Sequence, residues 1–431
     1  MKEINSSISG FPEWIPNVRR VELSWLDRIR EVYESYGYAS IETASVELLE
    51  TLETKGEIDK EIYLLKKPHT DAKEKYGLHY DLTVPFARYV AQNQNLITFP
   101  FKRYQIQKVW RGERPQRGRY REFYQCDIDV VDNNTLSSYY DFEVLLVGHA
   151  ALCSLEIPPF VIGISNRKIY EGYLEELGFS ETASVLRIID KIDKIGVSNV
   201  IQSLKDQLGV PTALATKALK PAQIKSFNLD FADQFRELDV KSDKAEDGIR
   251  ELKETMGLFL QTKRKNVQVD LSFVRGFDYY TGIIYEGKFV DDPNYGSICS
   301  GGRYENLSGN FINRHLPGVG FSIGFTRIFA KLVEEQLITS IKKTSVDAIV
   351  LRTDPNDTLL VLEVAEVLRK KGLKVEVYGK VSKLVKQLKY ADKKGVPWVW
   401  VASKDDPQQF EVKNMKTGEQ VKADPEDWKP D

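Results

Sequence analysis

Residues 102–129, KRYQIQKVWRGERPQRGRYREFYQCDID, contain two alternating patterns separated by a turn-forming loop. Side chains of different character alternate up to Val109 and again from Phe123, and this period of two predicts a pair of β-strands. Pro115 and Gly118 mark the turn between them. Eight residues between 102 and 121 are Lys or Arg, and one is acidic. We therefore predict a hairpin that concentrates positive charge in a chain whose formal net charge is only −2.

The hairpin would bring a compact set of chemical groups together. Arg111 and Glu113 lie towards the end of one strand, and Arg121, Phe123 and Gln125 lie on the other. Cations, a carboxylate and an aromatic ring suit a nucleoside triphosphate, because guanidinium forks match phosphate oxygens and a ring can stack on a base. A solvated β-ribbon or a general nucleic-acid patch is the alternative interpretation of the same composition.

The order of residues narrows this choice through a resemblance to a known family. The run VWRGERPQRGRYREFYQ, residues 109–125, resembles motif 2 of the class II aminoacyl-tRNA synthetases in its histidyl form. YDLTVPFARY, residues 80–89, resembles a block of histidyl-tRNA synthetases of the eukaryotic and archaeal type. RGFDYYTG, residues 275–282, is similar to the block usually written RGLDYYTG, which other class II synthetases lack. After Gly301, Gly302, Arg303 and Tyr304, the run LPGVGFSIGFTRIFAKL, residues 316–332, has a glycine-rich strand that enters a helix with Arg327 at the junction, and this resembles motif 3.

The resemblance implies a fold: an α+β catalytic domain with the antiparallel sheet of the class II synthetases, a helical insertion, and a C-terminal α/β anticodon-binding domain. The 431 residues are too many for one typical core. Helical patterns with little strand signal run from 166 to 263, and alternating strand and helix patterns follow residue 344. We predict a catalytic domain in two parts, 1–165 and 265–338, a helical insertion, 166–264, and an anticodon-binding domain, 344–431.

The activity implied by the resemblance has two steps and uses ATP with Mg²⁺. Histidine attacks the α-phosphate of ATP, and the 3′ end of tRNA(His) then takes the histidyl group from the adenylate. The resemblance places Arg111 and Arg275 at the α-phosphate, as catalytic residues that offset developing negative charge. Mg²⁺ is expected to arrive bound to ATP. The other ATP-binding residues implied are Glu113, Arg119, Phe123 and Arg327.

Recognition of histidine needs groups that match imidazole, which offers one donor and one acceptor when neutral. By the resemblance, Asp129 accepts from one ring nitrogen and Tyr280 donates to the other, although a glutamate also occurs in the family at the position of Asp129. Asp81, Thr83 and Gln125 would bind the α-amino group. Asp81 also has a structural alternative, because it precedes a predicted helix and can cap it. The predicted histidine pocket is completed by Arg111, Arg275, Tyr279 and Tyr304.

Three other functions share part of this pattern. The regulatory subunit of ATP phosphoribosyltransferase is a non-catalytic paralogue with the same catalytic-domain fold, but that family normally lacks the C-terminal domain and degrades the RGFDYYTG block. A histidyl-like domain that senses uncharged tRNA is usually part of a much longer kinase chain. A different class II synthetase would share motifs 2 and 3 but not the histidyl blocks. These differences favour the enzyme.

The composition sets further expectations. No run of about 18 apolar residues predicts a transmembrane helix, and the first residues lack the regions of a secretory signal. Three widely spaced cysteines fit a reducing, cytoplasmic setting. No HExxH or CxxC motif occurs, so we expect no metal site built from dedicated protein ligands. Apolar side chains at helical spacing over residues 19–36 predict a helix, which leads into a predicted strand over residues 38–43. By the resemblance these elements are motif 1, which forms the interface of a homodimer, although Ala44 stands where motif 1 usually has a proline.

Overall fold

A computed structural model describes residues 7–55, 61–68, 75–273, 280–306, 309, 311–312, 314–338, 342–402 and 409–430. The chain divides into two compact units. The larger unit comprises residues 1–13 and 24–335, and the smaller unit comprises residues 14–23 and 336–431.

Helices and strands alternate along the described residues. The helices are α1 Pro16–Ser35, α2 Leu49–Leu52, α3 Thr83–Asn93, α4 Tyr139–Cys153, α5 Arg167–Glu176, α6 Thr182–Ile189, α7 Ile192–Leu208, α8 Thr212–Ala218, α9 Phe231–Arg236, α10 Asp243–Gln261, α11 Phe325–Glu334, α12 Thr358–Lys370 and α13 Leu384–Lys394. The strands are β1 Ala39–Ser40, β2 Val46–Leu48, β3 Leu64–Leu65, β4 Tyr76–Leu78, β5 Phe101–Trp110, β6 Glu122–Val131, β7 Phe160–Asn166, β8 Lys225–Ser226, β9 Val267–Asp270, β10 Tyr280–Phe289, β11 Cys299–Tyr304, β12 Gly318–Ile323, β13 Ala348–Val350, β14 Val375–Val377, β15 Trp398–Ala402, β16 Phe410–Asn414 and β17 Gln420–Lys422.

Nine of the described strands form one large sheet, in the order β1-β5-β6-β12-β11-β10-β7-β9-β8. Neighbouring strands are antiparallel except for the pairs β1–β5 and β7–β9. A separate three-stranded sheet has the order β2-β4-β3. The antiparallel sheet predicted for the catalytic domain is therefore confirmed.

The β5–β6 pair is the hairpin predicted from the sequence, with Phe101 opposite Val131 and Trp110 opposite Glu122. Successive side chains of a strand point to opposite faces of the sheet. On β6 the apolar residues Cys126, Ile128 and Val130 are fully buried on the face that packs against α4 and α11. The other face is polar, and it carries the candidate site.

The segment between β7 and β9 is mainly helical, as its sequence pattern predicts, and the only strand that the structure describes within it is β8. Asn166 caps α5 by accepting a hydrogen bond from the Lys168 N–H at 3.0 Å. The α5 and α10 helices pack together, and the Lys168 Nζ lies 2.6 Å from the Glu251 Oε1. This pair holds the first and last helices of the segment side by side.

The smaller unit has the predicted alternation of strands and helices. Its sheet has the order β14-β13-β15-β16-β17, with β13 parallel to both of its neighbours and the remaining pairs antiparallel. Leu368 of α12 and Trp400 of β15 are fully buried in its core. The expected small, partly parallel α/β fold is confirmed.

The sequence predicted the elements better than their ends. The first helix begins at Pro16, three residues before its predicted start at residue 19, and Gly37 after it has a φ of 78°. A strand was expected over residues 38–43, but only Ala39 and Ser40 pair with β5. Beyond them the backbone leaves the sheet, because the Thr43 carbonyl accepts a hydrogen bond from the Gln107 side chain at 2.9 Å instead.

Candidate active site

A strip of polar side chains crosses three neighbouring strands of the large sheet. It consists of residues that share one face because they are two positions apart on each strand. The pairs in register are Gln107–Gln125, Gln105–Asp127 and Arg103–Asp129 across β5 and β6, and Asp127–Ser322 and Asp129–Gly320 across β6 and β12.

A cavity opens on this strip, and we call it the acidic pocket. It brings together four of the predicted histidine-binding residues, Thr83, Asp129, Tyr280 and Tyr304. The residues that line it are Thr83, Asp127, Asp129, Tyr280, Ser300, Gly301, Tyr304, Gly320, Phe321 and Ser322.

Asp129 is held by two neighbours within the acidic pocket. Its Oδ2 lies 2.5 Å from the Nη2 of Arg103, a side chain that is fully buried. Its Oδ1 accepts a hydrogen bond from the Tyr304 hydroxyl at 3.0 Å. These two contacts hold the Asp129 carboxyl group in place, and Tyr280 lines the same pocket.

Two glycines of β12 make room for these side chains. A Cβ atom at Gly320 would lie 2.2 Å from the Asp129 Oδ1, and one at Gly318 would lie 2.3 Å from the Tyr304 ring. No other residue type fits at these positions without a shift of the pocket wall. The glycine pattern at motif 3 therefore has a structural cause that involves the neighbouring strands.

Asp127 lies between Gln125 and Asp129 on the polar face of β6 and is only 5% exposed. Its Oδ1 is buried and has no hydrogen-bond partner among the described residues. Burial raises the pKa of Asp127 to about 7; Arg103 and a hydrogen bond from Ser322 lower the pKa, and the nearby carboxylates Asp129 and Asp81 raise it.

The two remaining residues predicted to bind the α-amino group flank the acidic pocket. The Gln125 Nε2 donates to the Ser322 Oγ at 3.1 Å, and the Gln125 Oε1 is buried without a partner among the described residues. The Asp81 Oδ1 accepts from the Val84 N–H at 3.0 Å, at the start of α3. Asp81 therefore has the capping contact that its structural alternative predicts, and its position beside Asp127 is compatible with a second role.

A cluster of guanidinium groups lies at the other end of the hairpin, and we call it the arginine cluster. The Arg111 Nε donates to the Tyr80 carbonyl at 2.9 Å, and its guanidinium lies 5.1 Å from the centre of the Phe123 ring. The Arg119 Nη1 lies 2.9 Å from the Glu113 Oε2. Such a group of fixed cations beside an aromatic ring favours a polyanion with a planar base.

Arg327 joins the arginine cluster from α11. Its Nε donates to the Gly118 carbonyl in the hairpin loop at 2.6 Å. Burial lowers the pKa of Arg327, and so do the positive charges of Arg119 and Arg111. Tyr295 and Glu113 raise this pKa. An anion bound among these three cations would relieve their mutual repulsion.

Most of the predicted site residues lie along this one face of the sheet. Arg275 and Tyr279 fall outside the described residues. Sequence reasoning missed Arg103 and Asp127, although the two-residue period that predicted β5 and β6 places them beside Gln105 and Gln125. The available signal was the polar character of alternate strand positions, which is unusual for side chains that are buried.

A buried ion pair supports the pocket from the next strand. The Arg303 guanidinium of β11 binds the Asp141 carboxylate of α4, with Nε–oxygen distances of 3.0 and 3.1 Å and an Nη2–Oδ2 distance of 2.9 Å. It also donates to the carbonyls of Leu136 and Ser137. Arg303 directly precedes Tyr304, so this network fixes the strand that carries the tyrosine.

An acidic pocket and an arginine cluster at the two ends of one hairpin, on a mainly antiparallel sheet, define a class II aminoacyl-tRNA synthetase. Comparison with known proteins identifies the branch of this class. The family model described as Histidyl-tRNA synthetase matches residues 10–328, and the model described as Anticodon binding domain matches residues 347–429. The chain belongs to the histidyl-tRNA synthetase family.

Individual relatives agree with this assignment over nearly the whole chain. The histidine–tRNA ligase of Thermobifida fusca is 49% identical over 425 residues, which cover 98% of this chain and 97% of the relative. The crystal structure of histidyl-tRNA synthetase from Nostoc sp. PCC 7120 has a TM-score of 0.86 and 36% identity, and covers 98% of this chain and 97% of that one.

A more distant structure bears on the fold alone. It is an ATP phosphoribosyltransferase regulatory subunit/histidyl-tRNA synthetase from Bacillus halodurans C, with a TM-score of 0.74 at 20% identity over 90% of this chain and 97% of that one. The catalytic interpretation is favoured over the regulatory paralogue, because the histidine–tRNA ligase match has the higher identity and includes the C-terminal unit.

Proposed function

We propose that this chain activates L-histidine with ATP and transfers the histidyl group to tRNA(His). The observation that carries the proposal is the placement of the acidic pocket and the arginine cluster along one strand, with Phe123, Gln125, Asp127 and Asp129 on successive positions of one face of β6. Positions two apart are separated by about 6.6 Å, so the strand can align an amino acid with the α-phosphate of a nucleotide. The class of enzyme predicted from the sequence, a histidine–tRNA ligase, is confirmed by the family and its relatives.

The first chemical step is a substitution at phosphorus. A carboxylate oxygen of histidine forms a bond to the α-phosphorus, the bond from that phosphorus to the bridging oxygen of pyrophosphate breaks, and pyrophosphate leaves. We assign Arg111 and Arg275 to the α-phosphate. A preorganised guanidinium is most effective where negative charge develops, and the hydrogen bond of Arg111 to the Tyr80 carbonyl supports this preorganisation for one of the two.

The arginine cluster provides the proposed ATP site. Arg119 and Arg327 would bind the outer phosphates, Phe123 would stack on adenine, and Glu113 would contact the base or orient a cation. Mg²⁺ would enter with ATP and neutralise phosphate charge, as it does when it is held by few protein ligands. Among the residues that the structure describes, no group of three acidic, His or Cys side chains is arranged to hold a metal ion.

The acidic pocket provides the proposed histidine site. Asp129 and Tyr280 would bind the imidazole nitrogens, with Tyr304 beside them, while Asp81, Thr83 and Gln125 would bind the α-amino group. Tyr279 would complete the wall. An amino acid without a matching ring would leave buried polar groups unpaired, and this penalty would give the site its specificity.

Transfer to tRNA is the second step. A terminal ribose hydroxyl of tRNA(His) attacks the carbonyl carbon of the adenylate, and AMP leaves. We assign residues 344–431 to anticodon binding and 166–264 to a helical insertion near the acceptor stem, between the catalytic parts 1–165 and 265–338. The smaller unit supports its assignment with seven exposed lysines, at positions 370, 371, 374, 380, 383, 386 and 389, which suit contact with phosphates.

We further propose a homodimer in the cytoplasm. Val46 and Leu48 of β2 and Leu64 and Leu65 of β3 are exposed on the three-stranded sheet, and exposed apolar patches favour association. Size-exclusion chromatography of Leu64→Glu should show a shift to monomer if this sheet is the interface.

The free thiols of the chain support the proposed reducing compartment; they are Cys126, Cys153 and Cys299. Within the described residues, no helix has the length and apolar character to cross a membrane.

The test of the proposed function is pyrophosphate exchange with ATP in the absence of tRNA, with each of the twenty amino acids in turn. We expect exchange with histidine alone. Folded protein that exchanges with no amino acid would refute the proposal and favour the regulatory paralogue. Charging of tRNA(His) in a second assay would then test the transfer step separately.

A further inference from the structure

The acidic pocket contains an imbalance of charge that the assigned residues do not explain. Three carboxyl groups, those of Asp81, Asp127 and Asp129, are close enough to influence one another, and each is at most 5% exposed. Within the part of the chain that the structure describes, the buried cation among them is Arg103, which pairs with Asp129. A low-dielectric site with more carboxylates than cations is costly unless a positive group enters it.

Asp127 is the carboxyl group with unused bonding capacity. Its Oδ1 has no hydrogen-bond partner among the described residues, whereas Asp129 is bonded to Arg103 and Tyr304 and Asp81 to the Val84 N–H. The Asp127 side chain is only 5% exposed and lines the acidic pocket. A buried oxygen without a hydrogen-bond partner is rare in proteins unless a ligand supplies the partner.

We propose that Asp127 is a further histidine-binding residue, and that its carboxylate accepts a hydrogen bond from the α-ammonium group of the substrate. This inference rests on the proposed function and adds a residue to the assigned set. A charge-assisted hydrogen bond would satisfy the free oxygen and offset the excess negative charge of the pocket in a single contact.

The position of Asp127 favours the ammonium group over the imidazole ring. Gln125, already assigned to the ammonium group, donates to the Ser322 hydroxyl, and Ser322 in turn bonds to Asp127. These three side chains therefore form one connected group. The ring end of the pocket lies further along the strand, where Asp129 meets Tyr304 and where Tyr280 lies opposite Tyr304.

The protonation of Asp127 should be linked to binding. Burial raises the pKa of Asp127 to about 7, so the carboxyl is about half protonated at pH 7 before substrate enters. The charged groups that act on it are Arg103 on β5, Asp129 on β6 and Asp81 before α3, while the Tyr33 hydroxyl lies behind the sheet. An arriving ammonium group favours the ionised carboxylate, so histidine should displace this proton.

The first experiment compares Asp127→Asn with the wild-type protein in pyrophosphate exchange. The Michaelis constant for histidine should rise about 10- to 100-fold, because a hydrogen bond between charged groups is lost, while that for ATP should change less than about threefold. Asp132→Asn, just beyond β6 and outside the pocket, is the matched control and should leave both constants unchanged. Equal constants for Asp127→Asn and wild type would overturn the inference.

Binding calorimetry with two histidine analogues separates the ammonium contact from a ring contact or a general distortion. Histidinol keeps the ammonium group and lacks the carboxylate, whereas 3-(imidazol-4-yl)propanoate lacks the ammonium group. Asp127→Asn should weaken histidinol about as much as histidine and leave the propanoate nearly unchanged. Equal weakening of both analogues would overturn the assignment to the ammonium group.

Proton release gives a second readout. Calorimetry at pH 7, in buffers of different ionisation enthalpy, should show that histidine binding releases more protons from the wild-type protein than from Asp127→Asn, because the α-ammonium group favours the ionised Asp127 carboxylate. The absence of this difference would overturn the inference. If the wild-type protein supported no exchange with histidine at all, the proposed function itself would fail, which is a distinct result.

Discussion

Gly320 lies directly opposite Asp129 in the β6–β12 ladder, and a methyl group at Gly320 would come within 2.2 Å of the Asp129 Oδ1. The same oxygen accepts the hydrogen bond of Tyr304. The lack of a side chain at Gly320 on β12 thus leaves the space that the Asp129 carboxylate of β6 occupies. The glycines of motif 3 shape the wall of the amino-acid pocket, and this relationship can be tested with a single added carbon.

Gly320→Ala should damage histidine binding more than it damages the fold. The added methyl group would displace Asp129 from Arg103 and Tyr304, so we expect the Michaelis constant for histidine in pyrophosphate exchange to rise at least about tenfold, equivalent to ~1.4 kcal/mol. Gly257→Ala in α10 is the control, because its new Cβ would meet no atom within 4 Å. The control should keep full activity and gain up to about 1 kcal/mol of stability. Normal histidine binding by Gly320→Ala would contradict the proposed role of Asp129.

Arg111→Ala should remove most of the adenylation activity. Its guanidinium lies between the Tyr80 carbonyl and the Phe123 ring, where the α-phosphate is expected. Loss of one preorganised donor to a developing charge typically costs a factor of about 10² to 10³ in kcat. Arg111→Lys should recover little, because an ammonium cannot reproduce the fork geometry.

Arg114→Ala provides the matched control for this position. Arg114 lies in the same hairpin and is exposed, so its replacement should change single-turnover adenylate formation less than about threefold, since surface substitutions of this kind have small effects. A comparable loss of adenylate formation in both variants would indicate that the hairpin acts through its total positive charge and that Arg111 has no specific role at the α-phosphate.

Arg303→Ala should destabilise the larger unit. The change leaves the Asp141 carboxylate buried without its ion-pair partner, and breaking such a pair costs about 3–5 kcal/mol. Burial already raises the pKa of Asp141 to about 6 while Arg303 lowers it, so the pKa should rise further in the variant. Protonation would then relieve part of the loss, and the deficit in the free energy of unfolding should be smaller at pH 5 than at pH 8. Urea unfolding at both pH values measures it.

The exposed pair of Arg250 and Asp247 is the control for the buried one. Arg250 is 72% exposed and its Nη2 lies 2.8 Å from the Asp247 Oδ1. Arg250→Ala should change the free energy of unfolding by less than about 1 kcal/mol, because exposed ion pairs contribute little. A loss as large as that of Arg303→Ala would show that burial does not account for the difference between the two pairs.

Asp127→Asn should stabilise the substrate-free protein at alkaline pH. The folded-state pKa of Asp127, about 7, is above the usual carboxyl value, so ionising this side chain penalises the folded state. The penalty is fully present above pH 7 and decreases as the pH falls towards the unfolded pKa of about 3.9. We expect a gain of roughly 1–4 kcal/mol at pH 8 that shrinks towards pH 5. Thermal unfolding across this range measures the gain, and a variant less stable at pH 8 than at pH 5 relative to wild type would contradict it.

Local sequence patterns were sufficient to predict those elements whose side-chain spacing is set within one strand or one helix. The two-residue period predicted the β5–β6 hairpin, and the apolar spacing predicted α1, because both depend on residues close in sequence. The motifs at residues 80–89, 109–125 and 275–282 indicated the family by resemblance. The same resemblance identified Asp81, Gln125 and Asp129 as candidate binding residues. The strand expected over residues 38–43 is shortened to β1, because two side chains of β5, more than sixty residues away, bond to Thr43: Gln107 donates to its carbonyl and Gln105 to its hydroxyl.

The sequence by itself determined the β5–β6 hairpin and its charge, the first helix, the helical character of the segment before β9, the alternation of strands and helices in the smaller unit, and the residues that belong to known motifs. The tertiary structure decided which of these groups are buried together. From the sequence, Arg103 looks like one of many surface cations, yet in the structure it is fully buried and pairs with Asp129. Asp127 looks like an ordinary strand residue in the sequence, yet it is buried and feels the charges of two other carboxyl groups, those of Asp129 and Asp81. Burial and electrostatic coupling arise from strands that are far apart in the chain and adjacent in space, so no local pattern encodes them.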